Sequence, residues 1–238
     1  MAKKYILTIL LSFLVITWLK GQDKQFEPEW NIGVGFGPTF SSVDFQTGNS
    51  AEKIKTKSSQ QYAGGLAIRY LSEKNLGFIL ELNYSQLGWE QDFTDKDNPD
   101  RYAGFSHVHK LNYLEIPALT HIYFGNKVRF IFNLGPKLSF LLSDSETMSS
   151  KLSDYLASGQ AAENFVTHQY YREAERRIDY GLMGGMGIEL RTGIGSFMLE
   201  GRYTFGLADI YSNSKSDYFQ RSANRVISAK LTYYVKLF

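Results

Sequence analysis

His107 and His109 stand one residue apart in the stretch HVH, so on a β-strand both imidazoles fall on one face. Two imidazoles at that spacing are half of a tetrahedral zinc set, which needs further nitrogen, sulfur or carboxylate donors. Sequence spacing places no third donor beside them, and the absence of cysteine excludes thiolate ligation. A polar strand end is the favoured reading of the pair, and no metal or cofactor is expected. Hydrolytic chemistry would need a serine, a histidine and a carboxylate held together. Tyr113, Glu115 and His121 share one parity of one segment, but no serine completes a triad with them. Ser143, Asp144, His168 and Asp179 fall near the ends of segments, with no spacing signature linking them. GVGFG at 33–37 resembles a glycine-rich nucleotide loop, yet no helical pattern follows it. KIKTK at 53–57 could touch phosphate, but it is short and reads as a solvated loop. Catalysis is therefore not expected. A net charge of +2 gives no general attraction for nucleic acid.

The larger set of chemistry-bearing residues is ionic. Arg69, Arg129, Lys137, Arg191, Arg202, Lys230 and Lys236, with Glu81, Glu115, Asp179, Glu189 and Glu200, all occupy the polar parity of segments whose other parity is apolar. Charges of both signs on an enclosed face persist only when paired, so these twelve residues are expected to form a closed, structural network rather than a reactive site.

The elements that position them alternate with period two. Near the C-terminus, Ile227, Ala229, Leu231, Tyr233, Val235 and Leu237 interleave with Ser228, Lys230, Thr232, Tyr234 and Lys236. The same pattern returns over roughly 30–41, 61–72, 76–91, 107–124, 127–143, 178–191, 195–210 and 224–238. Tight turns around SEKN, GN and TGIG join three pairs of segments. Polar stretches at 42–60, 92–106, 144–177 and 211–223 make the other connections. An even number of strands with short turns at one end and long loops at the other is the layout of an outer-membrane barrel. The expected fold is all-β: an eight-stranded antiparallel up-and-down transmembrane β-barrel with short periplasmic turns and long extracellular loops. A soluble eight-stranded barrel is the alternative. Its interior holds about one layer of side chains, which the Phe, Tyr, Leu and Ile of the apolar parity would overfill. Turned outward, that parity makes a lipid-facing belt. Trp30, Tyr123, Phe124, Phe197 and Phe238 at the short-turn side, and Tyr62, Trp89, Phe140 and Tyr180 at the loop side, suggest aromatic girdles.

Paired residues share a face, so each tight turn allows few registers. A loop of Glu73, Lys74 and Asn75 would pair Ser72 with Leu76, face Arg69 to Ile79 and set it diagonal to Glu81. A loop of Phe124, Gly125 and Asn126 would set Glu115 opposite Gly135 and diagonal to Lys137. A loop of Gly193 and Ile194 would set Glu200 opposite Gly187 and Arg202 opposite Gly185. Within 144–177, Leu152, Tyr155 and Leu156 recur at helical spacing with Gly159 as a stop, which predicts a short helix.

Lys3 and Lys4 precede an apolar run from Tyr5 to Leu19, the pattern of a signal peptide over 1–21 cut after Gly21. That leaves 22–238 as an outer-membrane β-barrel domain. The stretches LNYLEIPALTHIYFG, FNLGPKLSFLL, DYGLMGGMGIEL, LEGRYTFGLADI and NRVISAKLTYYVKLF resemble, in order and spacing, the PorT-like outer-membrane β-barrel family of the Bacteroidota. The resemblance implies the small barrel fold and an outer-membrane location. One departure is Phe238, which falls in the polar parity with Lys236, whereas proteobacterial barrels usually end on an aromatic in phase with the apolar face. The expected partners are outer-membrane lipid and a surface or envelope protein met through loops 42–60, 92–106, 144–177 and 211–223. The expected function is structural or surface interaction by a plugged barrel. The alternatives are a subunit of a secretion or gliding apparatus, a small-solute channel and an outer-membrane enzyme.

Overall fold

The computed structural model describes residues 26–47, 54–95, 98, 100–159, 166–212 and 218–237. They form β1 (Glu29–Thr47), β2 (Thr56–Glu73), β3 (Leu76–Gln91), β4 (His107–Gly125), β5 (Val128–Met148), α1 (Ser150–Ala157), β6 (Ile178–Thr192), β7 (Gly195–Asp209) and β8 (Phe219–Lys236). Every strand pairs antiparallel with the next, and β8 returns to β1 to close an eight-stranded barrel. The signal segment 1–21 and Phe238 lie outside the described residues. β1, β5 and β8 run further toward the loops than alternation indicates, to Thr47, to Met148 and from Phe219. Beyond the apolar belt the outward residues turn polar, as Ser143, Ser145 and Thr147 do on β5, so the ladder continues where the apolar-outside signal has stopped.

Side chains alternate as the parity requires. Val34, Leu66, Leu80, Phe130 and Leu231 point outward, while Arg69, Glu81, Glu189 and Thr232 are buried inside. An outer surface so continuously apolar is not sustained in water. Trp30, Phe124, Phe197, Tyr62, Phe140 and Tyr180 are exposed on that surface. Trp89 and Tyr123 are not. They share parity with Glu81 and His121, and both are buried in the lumen, so the girdle expected of them is wrong.

The turn between β6 and β7 pairs Thr192 with Gly195, which sets Glu200 opposite Gly187 and Arg202 opposite Gly185 as read from the sequence. Between β2 and β3 the loop is shorter than expected. Glu73, not Ser72, pairs with Leu76, and the ladder shifts between Leu71 and Glu73. Asn75 takes the left-handed turn position at φ 75°, a conformation that asparagine tolerates, and its side chain donates to Tyr123 O. Arg69 still faces Ile79. Between β4 and β5 the register is displaced: Glu115 lies opposite Ser139 rather than Gly135, and Pro117 opposite Lys137. Glu115 remains diagonal to Lys137 because the shift is an even number of residues and preserves the face. The expected helix is α1. Ser149 caps it by accepting from Leu152 N, Leu152 is buried, and Gly159 follows at φ 78°.

Candidate functional site

In an eight-stranded ring, β2 faces β6 and β3 faces β7 across the lumen. Long charged side chains on such strands can meet at the axis. Arg69 on β2 donates through Nη1 to Glu189 Oε1 on β6 at 2.7 Å, with both side chains fully buried. Arg129 reaches the other Glu189 oxygen at 3.4 Å. The two guanidiniums lie over aromatic faces, Arg69 over Tyr234 at 4.2 Å and Arg129 over Tyr123 at 4.1 Å. Such stacking supports a cation away from water. At the rim below, Glu29 takes Arg191 at 3.1 Å and Lys236 at 3.5 Å.

The middle layer is denser. Arg202 on β7 grips Glu81 on β3 through Nη1 at 2.8 Å and Nη2 at 2.7 Å, a forked pair across the full lumen. Arg202 also holds Glu200 at 2.8 Å, and Lys230 reaches Glu81 at 2.8 Å. Asn83 donates to Glu81 and accepts from Lys230, while Asn133 donates to Glu200 and accepts from the His121 ring. Glycines make the room. A Cβ at Gly185 would collide with the Glu200 carboxylate, and one at Gly35 with the Lys230 stem. The glycines of 33–37 thus serve packing and not a phosphate. Toward the loops, Lys137 and Ser85 donate to Glu115 at 2.5 and 2.6 Å, and Asn224 donates to Asp179 at 3.0 Å.

Above this layer the filling changes. Val43, Leu87, Trp89, Leu111, Tyr113, Ile210, Tyr211, Phe219 and Val226 pack into an apolar plug. Beside it lie four polar residues from one hairpin. His107 and Glu146 are bonded at 2.6 Å, and His109 is bonded to Asp144. Trp89 stacks on the His109 ring at 4.2 Å and 11°, and Tyr170 meets His107 edge-on at 4.9 Å. Burial pushes the Tyr170 hydroxyl above its ordinary range, so it stays a donor to Gln91 at 2.8 Å.

All twelve residues of the ionic set lie on the inner parity, but their partners differ from the sequence reading. Arg69 pairs with Glu189 and not with its diagonal neighbour Glu81, which is taken by Arg202 and Lys230. Glu29, Asn31, Asn83, Asn133 and Asn224 were missed as members; the shared inner parity was the available signal. The HVH pair has acquired carboxylate neighbours, Asp144 and Glu146, from the extension of β5 past the apolar belt. Ser143, Asp144, His168 and Asp179 are not brought together. Ser143 accepts from Asn112, and His168 stacks on Tyr218 at 3.9 Å. Lys57, from KIKTK, pairs with Asp92 at 3.0 Å. Among the described residues no helix is long and apolar enough to cross a membrane, which leaves strands open as the crossing element.

No curated protein matches the chain. Solved structures with a similar trace include Neisserial surface protein A, at 12% identity and TM-score 0.45, covering 89% of this chain and 100% of that one. OprG from Pseudomonas aeruginosa follows at 13% identity and TM-score 0.45, covering 90% and 98%. Ail of Yersinia pestis shows 14% identity and TM-score 0.40, covering 88% and 100%. The family described as outer membrane protein beta-barrel domain matches residues 21–212, which is most of the chain. With its closed ring of eight strands, apolar outside and ionic within, the chain belongs to the outer membrane protein beta-barrel domain family.

Proposed function

We propose that the protein is an integral outer-membrane barrel closed to solutes, serving a structural or surface-contact role through its long loops and carrying out no catalysis. The observation that carries this reading is the pairing of Arg69 with Glu189 and of Glu81 with Arg202 across the whole lumen. An interior cavity beside Asn83, Glu115, Arg202 and Lys230 measures about 30 Å³, space for one or two waters. The expected export signal supports delivery of the N-terminus to the periplasm. An outward first strand then puts 42–60, 92–106, 144–177 and 211–223 at the cell surface, where a protein partner would meet them. Purified protein in planar bilayers should pass no steady current, and a conductance of porin size would overturn the closed interior. Protease added to intact cells should cut within 144–177 and spare Lys74 and Asn75. Cleavage only after the envelope is opened would reverse the topology. The PorT-like motifs favour that branch of small barrels, and a secretion or gliding apparatus is the second reading. It predicts envelope proteins cross-linked to the loops in intact cells.

A further inference from the structure

We infer that His107, His109 and Glu146 form a binding site for a transition-metal cation of the zinc class at the loop end of the barrel, with Asp144 as the residue that orients His109. One ligand atom from each of His107, His109 and Glu146 falls within 4.8 Å of the others. The register makes this convergence a property of the hairpin. Glu146 on β5 pairs directly with His109 on β4 and is diagonal to His107, while Asp144 pairs with Leu111 and is diagonal to His109. All four side chains therefore share the inner face.

Internal hydrogen bonding does not account for the cluster. Each imidazole has Nε2 on a carboxylate, and Nδ1 of both rings is buried with no partner. A ring with one nitrogen on a carboxylate and the other free, as in His109 beside Asp144, is a form in which histidine ligates metals, the carboxylate fixing its orientation. For His107 and Glu146, whose Nε2 and Oε1 already lie side by side, the cation would take the place of the proton between them. The rings are also held in place, His109 against Trp89 and His107 against Tyr170. The carboxylates are fixed from behind. Glu146 Oε2 accepts from Tyr171 N at 2.9 Å, and Asp144 Oδ2 accepts from Ala174 N. Two carboxylates beside two imidazoles supply the oxygen and nitrogen donors that such a divalent cation takes. Arg172, the nearby cation, is turned to Glu175 and the Tyr211 ring.

A tetrahedral zinc set at about 2.0–2.1 Å places ligand atoms roughly 3.3 Å apart, so closing the cluster takes at most about 1.5 Å at its widest. Imidazole nitrogen with carboxylate oxygen favours Zn²⁺ over Mg²⁺ and Ca²⁺, which prefer oxygen alone. The imidazoles are buried while Glu146 and Asp144 are 16% and 12% exposed, so the cation would enter from the loop side.

The test is zinc titration of the refolded, metal-free barrel in detergent micelles. Calorimetry and the emission of Trp89, which stacks on His109, are the readouts. Saturable Zn²⁺ binding is expected, with an emission change that Trp89→Phe abolishes and with no binding of Mg²⁺ at the same concentration. Glu146→Gln, at a partly exposed position that should not disturb folding, should weaken zinc about 100-fold, and His109→Gln at least as much. His168→Gln should bind as the parent does. Zinc affinity unchanged in folded Glu146→Gln, no zinc binding by the folded parent, or equal binding of Mg²⁺ would each overturn the site.

Discussion

The turn-side and loop-side halves of the barrel interior are filled by different means. On the turn side and in the middle, filling comes from the strands themselves. Arg69, Arg202 and Lys230 extend from one wall to carboxylates on another, and Arg129 joins Glu189 from the next strand, with tyrosine rings and glycines beside them. On the loop side, an aromatic plug around Trp89, Tyr211 and Phe219 takes over. Its polar edge is fastened by chain outside the strands, through Ala174 to Asp144, Tyr171 to Glu146 and Tyr170 to Gln91. The first half should resist change as a unit, because each charge depends on another charge. The second should loosen piecemeal, because each fastening is a single hydrogen bond or ring contact.

The largest effect should come from Arg202→Met, which removes the ion-pair partner of Glu200 and the forked one of Glu81, leaving Glu81 with Lys230. Stranding a buried charge costs roughly 3–5 kcal/mol, and unfolding in urea should show a loss at least that large. Recovery of part of it by Glu200→Gln in the same chain would confirm that the loss is electrostatic. Glu115→Gln follows, taking from the buried Lys137 the carboxylate to which it is bonded; a loss of about 3 kcal/mol is expected. Lys137→Met added to it should restore part of the stability, and strict additivity of the two changes would break the view of this half as coupled. Next comes Leu231→Arg, outside the wall at the level of the middle layer. It should cost roughly 2–4 kcal/mol on folding into bilayers, against about 0–1 for Leu237→Arg at the rim. Equal costs at the two positions would mean that the apolar face is not in lipid. The smallest change belongs to the loop half. Tyr170→Phe deletes one donor to Gln91, which Gln169 still contacts, and should cost about 1 kcal/mol. Its signature is faster proteolysis near residue 170 with an unchanged global midpoint. A shift of the whole transition would show that the two halves unfold together.

Strand number, closure and the inward direction of every network residue were legible because a period of two assigns faces without knowledge of partners. Partners were legible only where they are neighbours in the ladder, as for Glu115 and Lys137. The pairs that span the lumen, Arg69 with Glu189 and Arg202 with Glu81, depend on which strands stand opposite once the ring is closed. Trp89 and Tyr123 were misplaced because interfacial aromatics were assigned by nearness to strand ends, although their parity already put them inside. Asp144 and Glu146 escaped notice as companions of His107 and His109. They sit where β5 is polar on both faces and gives no periodic signal.

The seam between β1 and β8, where Asn31 meets Lys236 and Ser41 meets Val226, has a kinetic consequence. It joins the two ends of the sequence, so its contacts carry nearly the maximum loop-closure entropy the chain can impose, and topologies of that kind fold slowly. The cross-lumen ion pairs come into position only when opposite walls are in place, so their electrostatic reward arrives late, after most of the entropy has been lost. Partly zipped barrels gain little of it and keep two open strand edges that template association with other chains. The route from unfolded chain to finished barrel is thus a single late commitment, and a chain cut short within β8 should fail to assemble outright rather than yield a smaller, weaker ring.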